Sequence, residues 1–523
     1  MIFWIIIFLL FLIYKWLTSD HDYFKKINVP FDRPLPLVGN LLGIVLQKES
    51  IVEITTRNYY KYKDYKVYGF FNFLQPSFMI TDPELIKKIT IKDFDHFLNH
   101  IEAFEIDRLF SRTVFAMRDK KWRDMRTTLS PIFTSSKMKI MFGLLGEQSN
   151  DFVKFMHEQV ESGKNLNVEV AEIFSRYTAD AISTAALGFK GESVRNEKCE
   201  AYTILKLMQN NFNGSLGALK FLLAFTLPKV YKFFDIQLVG KEVNDFFKRI
   251  VIDEINLREK KNFYRPDMIQ LLLQARKGQL KNEEINENDL SNFSAHTEFD
   301  VSLKNEKMSH FEDLDWIAQG FVMFGAGFDT STDLLQIICY ELSFNKNIQN
   351  DLIAEIDKID AVETISYETL HKMKFLDMVV SETLRKWPPA GQLDRCCNKE
   401  YKLDLENGKS VIIEKGKNVF LPVYQIHHDP DYYTEPEKFN PYRFSDENKE
   451  NLVPGTFLPF GIGPRACLAS RFALMSVKLI LVKILNDFKI EPCEKTPAKL
   501  TYQANINFKF NEKIFLNFIP RSK

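Results

Sequence analysis

The chain has little cysteine, no excess of either charge, and none of the common signatures of hydrolytic or dinucleotide-binding enzymes. Its six cysteines, Cys199, Cys339, Cys396, Cys397, Cys467 and Cys493, are spread over 523 residues without a C-x-x-C pair. That spacing does not fit a disulfide scaffold and does fit a reducing compartment. Lys plus Arg and Asp plus Glu both number 69, so nucleic acid is not an expected partner: binding it needs a basic excess. No H-E-x-x-H, G-x-S-x-G or G-x-G-x-x-G is present, which removes the zinc-peptidase, nucleophile-elbow and dinucleotide-fold readings. Gly408-Lys409-Ser410 looks like the end of a phosphate-binding loop, but Leu403 stands where its first glycine belongs. No internal repeat is visible. The composition, 45% apolar and 26% charged, excludes a mostly disordered chain. Phenylalanine is heavy at 47 residues; a large core or an aromatic-lined cavity accounts for it.

The one long apolar run opens the chain. Residues 1–14 (MIFWIIIFLLFLIY) carry no charge before Lys15. Seventeen helical residues span roughly 25 Å, close to the ~27 Å core of an endoplasmic-reticulum bilayer. Residues 1–17 are therefore expected to form a membrane anchor helix, with Lys15 snorkelling to the interface. A cleaved signal peptide is the alternative, but no Lys or Arg precedes the run and no clean small-residue cleavage site follows it. Lys15, Lys25 and Lys26 come just after it, which places the rest of the chain in the cytoplasm. Residues 18–40, basic and then studded with Pro30, Pro34 and Pro36, predict a stiff hinge. Residues 41–523 then form one catalytic body. Helical patterns over 82–97 and through 120–280, and a long helix from Asp313 to Asn345, set against strand-like alternation over 401–425 and 503–519, predict a mainly α fold with a minor β part. Residues 277–307 are polar and read as a surface linker.

Chemistry concentrates in Phe460-Gly461-Ile462-Gly463-Pro464-Arg465-Ala466-Cys467. A lone cysteine follows two glycines and a proline and precedes an apolar helical run. The glycines let the backbone turn tightly under a flat ligand. A helix starting at the cysteine would aim N–H groups at the sulfur and favour thiolate, the form that ligates iron. A buried inert cysteine is the alternative. Trp122 and Arg126 share one helix face at i, i+4, and Glu382 and Arg385 do so at i, i+3. Ala326-Gly327-Phe328-Asp329-Thr330-Ser331 sets an acid and an alcohol inside an apolar stretch, where unpaired polar groups are costly, and so points to proton delivery.

In this order the segments resemble the cytochrome P450 superfamily. Phe460, Gly463, Arg465 and Cys467 match its F-x-x-G-x-R-x-C-x-G haem loop, with Ala469 in place of the last glycine. Trp122 to Arg126 resembles its W-x-x-x-R helix, and Ala326 to Ser331 its A/G-G-x-D/E-T-T/S oxygen-binding helix. Glu382-Thr383-Leu384-Arg385 resembles E-x-x-R, with Arg443 of Phe439-Asn440-Pro441-Tyr442-Arg443-Phe444 completing a structural network. The match runs from Pro34 to the C-terminus, and its finer texture resembles insect clan-three, family-nine detoxification enzymes.

The resemblance implies a triangular helix-rich body with a small N-terminal β region, and haem b (iron protoporphyrin IX) between the oxygen-binding helix and the cysteine-loop helix. Cys467 is the implied iron ligand. Trp122, Arg126, Arg395 and Arg465 are the implied propionate contacts, and Thr330 and Asp329 the implied proton relay. Gly327 is expected to let its helix bulge toward the haem. The implied activity is insertion of one atom of O2 into lipophilic small molecules such as plant toxins or insecticides, at the endoplasmic-reticulum membrane. NADPH–cytochrome P450 reductase is the implied donor, with cytochrome b5 as an optional second one. Lys121, Arg123, Lys137, Lys139, Arg471 and Lys478 are candidate docking cations. The pocket is expected to draw on Phe104 to Phe115, residues 204–235, Phe321, Phe324, Ala326, residues 389–394 and the turn near Asn505. The alternatives are an endogenous hormone, odorant or fatty-acid hydroxylase, a haem-thiolate isomerase, and a non-catalytic haem-binding protein. Members that do not activate oxygen often lose the acid–alcohol pair, which is present here.

Overall fold

The computed structural model describes residues 1–102, 107–162, 167–213, 215–280, 310–405 and 409–522. The polar stretch expected as a linker falls largely on residues 281–309, and part of the expected pocket loop on 103–106; both lie outside the described residues.

Helix α1 (Ile2–Leu17) has 16 residues, none buried. It is about 24 Å long, and among the described residues no helix is long and apolar enough to cross a membrane. The helix expected over residues 1–17 is present, with Met1 as its N-cap. Residues 18–40 do not hang free as a linker. Phe24 is fully buried, with its ring 5.4 Å from that of Phe71 and 5.3 Å from that of Phe78. Phe31 bridges to Gly69, and Gly39 to Asn72.

The strands are β1 (Val67–Asn72), β2 (Gln75–Ile80), β3 (Asn167–Glu169), β4 (Leu393–Cys396), β5 (Tyr401–Asp404), β6 (Ser410–Ile413), β7 (Asn418–Leu421), β8 (Phe488–Pro492) and β9 (Phe515–Pro520). One sheet has the order β1-β2-β7-β4, a second β3-β9-β8, and β5 pairs with β6. In the first sheet β4 runs antiparallel to β7, with Arg395 opposite Val419. Strands β5 and β6 alternate buried and exposed residues, the half-buried pattern expected of their sequence. Residues 82–97 break the single helix expected there. An α-turn at Pro83–Lys87 gives way to a π-turn at Lys88–Lys92 and a 3-10 turn at Phe94–His96.

The core is helical. It is framed by α2 (Asp119–Leu129), α3 (Ser135–Glu161), α4 (Val170–Ile182), α5 (Glu200–Asn213), α6 (Asp313–Phe344), α7 (Lys374–Lys386) and α8 (Ser470–Asp487). Helix α6 runs 32 residues through the centre and packs on α4, α5, α7 and α8. It is apolar on most faces, as a core helix must be. Its start is set by a capping box between Glu312 and Asp315.

Candidate active site

The segment from Phe460 to Cys467 forms a tight loop ahead of α8. Gly461 and Gly463 have φ of +76° and +74°. A Cβ on Gly463 would sit 2.1 Å from the Thr90 carbonyl oxygen, so glycine alone fits there. The Cys467 N–H closes the loop by donating to the Phe460 carbonyl at 2.7 Å. Helix α8 begins at Ser470 with Ala469 as its N-cap, so Cys467 precedes the helix rather than starting it. Burial pushes the Cys467 thiol up, while the Ala469 N–H and the Arg126 guanidinium pull it down. The residue is nevertheless accessible.

Three guanidiniums lie at this loop, that of Arg395 buried and those of Arg126 and Arg465 half-buried. Arg126 donates from Nη2 to the Ala466 carbonyl at 2.7 Å. Arg465 donates to the carbonyls of Leu98 at 2.8 Å, Phe115 at 2.9 Å, Met117 at 2.8 Å and Val114 at 3.3 Å. Arg395, on β4, donates from Nη1 to the Asp394 carbonyl at 2.7 Å, and its buried Nε has no hydrogen-bond partner. Burial pushes Arg126 and Arg395 down to about 10. Burial lowers Arg465 further, and the charges of Arg395, Arg126 and Arg118 add to the effect. Asp394 opposes them only in part: its carboxylate meets His100 Nδ1 at 3.0 Å and accepts the Ile101 N–H at 2.8 Å. A cationic cluster of this kind needs an anion. The unpartnered Arg395 Nε, the Arg126 and Arg465 cations and the accessible thiol are a donor set that fits the two propionates and iron of haem b.

Trp122 is buried, and the Arg465 guanidinium lies 4.0 Å over its ring. The indole therefore acts on the cluster by supporting Arg465. Its helix is aimed by Asp119, which takes φ +50°. Asn99 holds that strained residue from both sides: its amide donates to the Asp119 carboxylate and accepts the Asp119 N–H, each at 2.9 Å. Sequence reasoning did not find His100, Arg118, Asn99 or Asp394. Only Asp394, next to Arg395, carried any signal.

Along α6 the residues from Leu314 to Ser343 are buried or half-buried except Ala326 and Thr330. These lie one turn apart and open on the interior. Helix α6 packs on α8, the helix that follows the Cys467 loop. The Thr330 hydroxyl donates to the Ala326 carbonyl at 2.8 Å. Asp329 sits on the adjacent face, where Gln209 donates to it at 2.9 Å and Lys509 pairs with it at 2.8 Å. The bulge expected at Gly327 is absent, since α6 is regular throughout. Gly327 instead lets α4 close in: a Cβ there would meet Ile182 Cδ1 at 3.1 Å.

The Glu382 network forms as expected. Arg385 donates to Glu382 at 2.7 and 2.9 Å, and Arg443 and the Asn440 N–H reach the same carboxylate at 3.4 and 2.9 Å. Phe321 gathers with Phe110, Phe212 and Phe247. Phe324 stacks on Phe246 and meets Phe247 edge-on, so it is a core residue. Among the docking candidates, Lys478 is buried and paired with Asp377, a correction to its assignment as a surface cation. Lys121, Arg123 and Lys139 are tied to Asp315, Asp95 and Glu368.

Fold and site together define a haem-thiolate class of enzyme. The sequence profile described as Cytochrome P450 matches residues 29–515, and the chain belongs to that family, whose members bind haem b and act as monooxygenases. Cytochrome P450 9e2 of Blattella germanica is 40% identical over 500 residues, covering 92% of this chain and 91% of the relative. Cytochrome P450 9b2 of Drosophila melanogaster is 35% identical over 525 residues, covering 98% and 97%. Cytochrome P450 6k1 of Blattella germanica is 35% identical over 497 residues, covering 93% and 90%.

Proposed function

We propose that this monooxygenase oxidises lipophilic foreign compounds, with electrons from NADPH–cytochrome P450 reductase and with cytochrome b5 as an optional second donor. The observation that carries the reading is the accessible Cys467, with Arg126 bonded to its loop and the buried Arg395 Nε left without a partner. Arg126, Arg395 and Arg465, the last braced on Trp122, would hold the propionates, and Cys467 would hold the iron. Bound haem b supplies the oxygen activation that places one oxygen atom in a C–H or double bond of the substrate. Thr330, its own proton engaged by Ala326, accepts a hydrogen bond from a water in the cleft and keeps it there. Asp329 feeds protons to that water. The rings of Phe110, Phe212 and Phe321 favour apolar substrates.

Helix α1, with no buried residue and Lys15 as its one charge, supports attachment to the endoplasmic-reticulum membrane, with the body, residues 41–523, on the cytoplasmic side. The test is the carbon monoxide difference spectrum of the reduced protein. The red-shifted band of a thiolate-ligated haem is expected and should vanish in Cys467→Ala. A thiolate band surviving in that variant refutes the ligand assignment.

A further inference from the structure

Asp329 and Asp333 lie one turn apart on α6, so their carboxylates share a helix face and repel. One cation serves both. Lys509 comes from the C-terminal turn, places Nζ 2.8 Å from Asp329 Oδ2, and also pairs with Asp333 Oδ2. The remaining carboxylate oxygens accept from Gln209 and Gln336, each at 2.9 Å. The turn that carries Lys509 is well held. Its carbonyl accepts the Gln503 N–H at 2.8 Å, and the Asn505 carbonyl accepts the Ile51 N–H at 3.0 Å. Phe508 packs so closely on Gly391 that a Cβ there would fall 1.9 Å from its ring. The charged groups facing Asp333 are Lys509 from this turn and Asp329 from its own helix. Burial pushes Asp333 up to about 6, against the pull of Lys509 and with the help of Asp329. Asp333 therefore takes up and releases its proton on the acid side of neutrality.

We propose that Lys509 is a positioning residue that controls when Asp329 is free to move a proton, by passing between Asp329 and Asp333. The proposal rests on the reading of Asp329 as the acid of the relay. While Asp333 is protonated, Lys509 holds Asp329. When the Asp333 proton crosses to Asp329 through a water, Lys509 moves wholly to the Asp333 carboxylate and the charge of the cluster is unchanged. Asp329 then gives its proton to the water at Thr330, and Asp333 is reprotonated from solvent. Because the cation rides on the C-terminal turn, anything that shifts that turn alters proton supply.

The test uses the purified holoenzyme with NADPH–cytochrome P450 reductase and 7-ethoxycoumarin as probe, in wild type, Lys509→Met, Lys509→Arg, Asp333→Asn and Asp329→Asn. Two quantities are read: product formed per NADPH, and the infrared carboxylic-acid band that wild type shows and Asp333→Asn lacks. In wild type that band is expected to titrate at about 6, and coupling to fall as pH rises through the same range. Lys509→Met should move the band midpoint up by about one unit and lower product per NADPH about tenfold, an order of magnitude less than losing a positioned acid outright. Lys509→Arg should restore most of it, and Asp333→Asn should flatten the pH profile. An unmoved band, or wild-type coupling in Lys509→Met while Asp329→Asn uncouples, overturns the toggle and leaves the role of Asp329 standing. Wild-type coupling in Asp329→Asn removes both. Equal losses in the Met and Arg variants mean a structural role and also overturn it. If Lys509→Met fails to bind haem, Asp333→Asn decides: a flat profile supports the toggle and an unchanged slope refutes it.

Discussion

The Arg465 guanidinium rests 4.0 Å above the indole of Trp122; the indole is buried and the guanidinium half-buried. A partly desolvated cation over a Trp face is worth about 1–2 kcal/mol. Here the stacking plane also fixes which way the remaining Arg465 N–H points after its carbonyl bonds are made. Trp122→Ala should cost about 3–5 kcal/mol of stability, mostly from the cavity. It should also speed haem release, because Arg465 loses its support. Trp122→Phe keeps a ring beneath the cation and should lose stability but retain haem. Denaturant unfolding and the rate of haem transfer to an apo-acceptor separate the two effects. Equal haem release in both variants would show that the stacking does not orient Arg465.

A second expectation concerns acid. His427 sits between α7 and the cysteine loop: Nε2 accepts the Leu458 N–H at 2.9 Å, so Nδ1 carries the proton and donates to the Arg385 carbonyl at 3.0 Å. Protonating the ring removes the acceptor that Leu458 uses. Burial, His428 and Arg385 hold His427 well below the usual histidine range, and burial with Arg385 pushes His428 down to about 3. Both folded values lie below the unfolded value of 6.5. The unfolded chain therefore binds more protons below that pH, and stability is complete above it and lost as pH falls. At pH 5 each ring should cost about 2 kcal/mol. Melting scans from neutral to acid should show this slope in wild type and roughly half of it in His427→Gln. An unchanged slope in the variant would assign the acid sensitivity elsewhere.

How far the sequence could be read depended on how locally each feature is encoded. The cysteine loop, the long helix α6 and the Glu382–Arg385 pair were legible because each is a contiguous pattern whose spacing sets its geometry. Sheet alternation in β5 and β6 was legible for the same reason. Features made by distant segments were not. Lys478 read as a surface cation, and only the packing of α8 buries it against Asp377. Phe324 was expected in the pocket, and only its packing against Phe246 and Phe247 makes it a core residue. Gly327 looked like a bulge, but its missing side chain is used by Ile182 of α4. Lys509 carried no signal at all, since nothing in the C-terminal turn shows that it folds back onto α6.

The segment before α2 depends on a residue that the sequence marked only as part of the longer stretch from Phe104 to Phe115. Asp107 is buried. One carboxylate oxygen accepts the N–H groups of Leu109 at 2.8 Å and Phe110 at 2.9 Å, and the other those of Leu238 at 2.8 Å and Val239 at 3.0 Å. One side chain thus staples the segment before α2 to the segment after residue 230, and Gln319 of α6 ties the same segment down through the Arg112 carbonyl and the Val114 N–H. A substrate entering between these segments must loosen that staple. Asp107→Ala leaves four donors without their acceptor, at about 1–3 kcal/mol for each that water cannot reach. Amide exchange at Leu109, Phe110, Leu238 and Val239 should then speed up together by about 100-fold, while Leu335 in the core of α6 stays protected. Faster binding of an apolar probe should accompany it. Acceleration confined to Leu109 and Phe110 would mean that the two segments open independently and that Asp107 is a local turn residue, with access set by Gln319 instead.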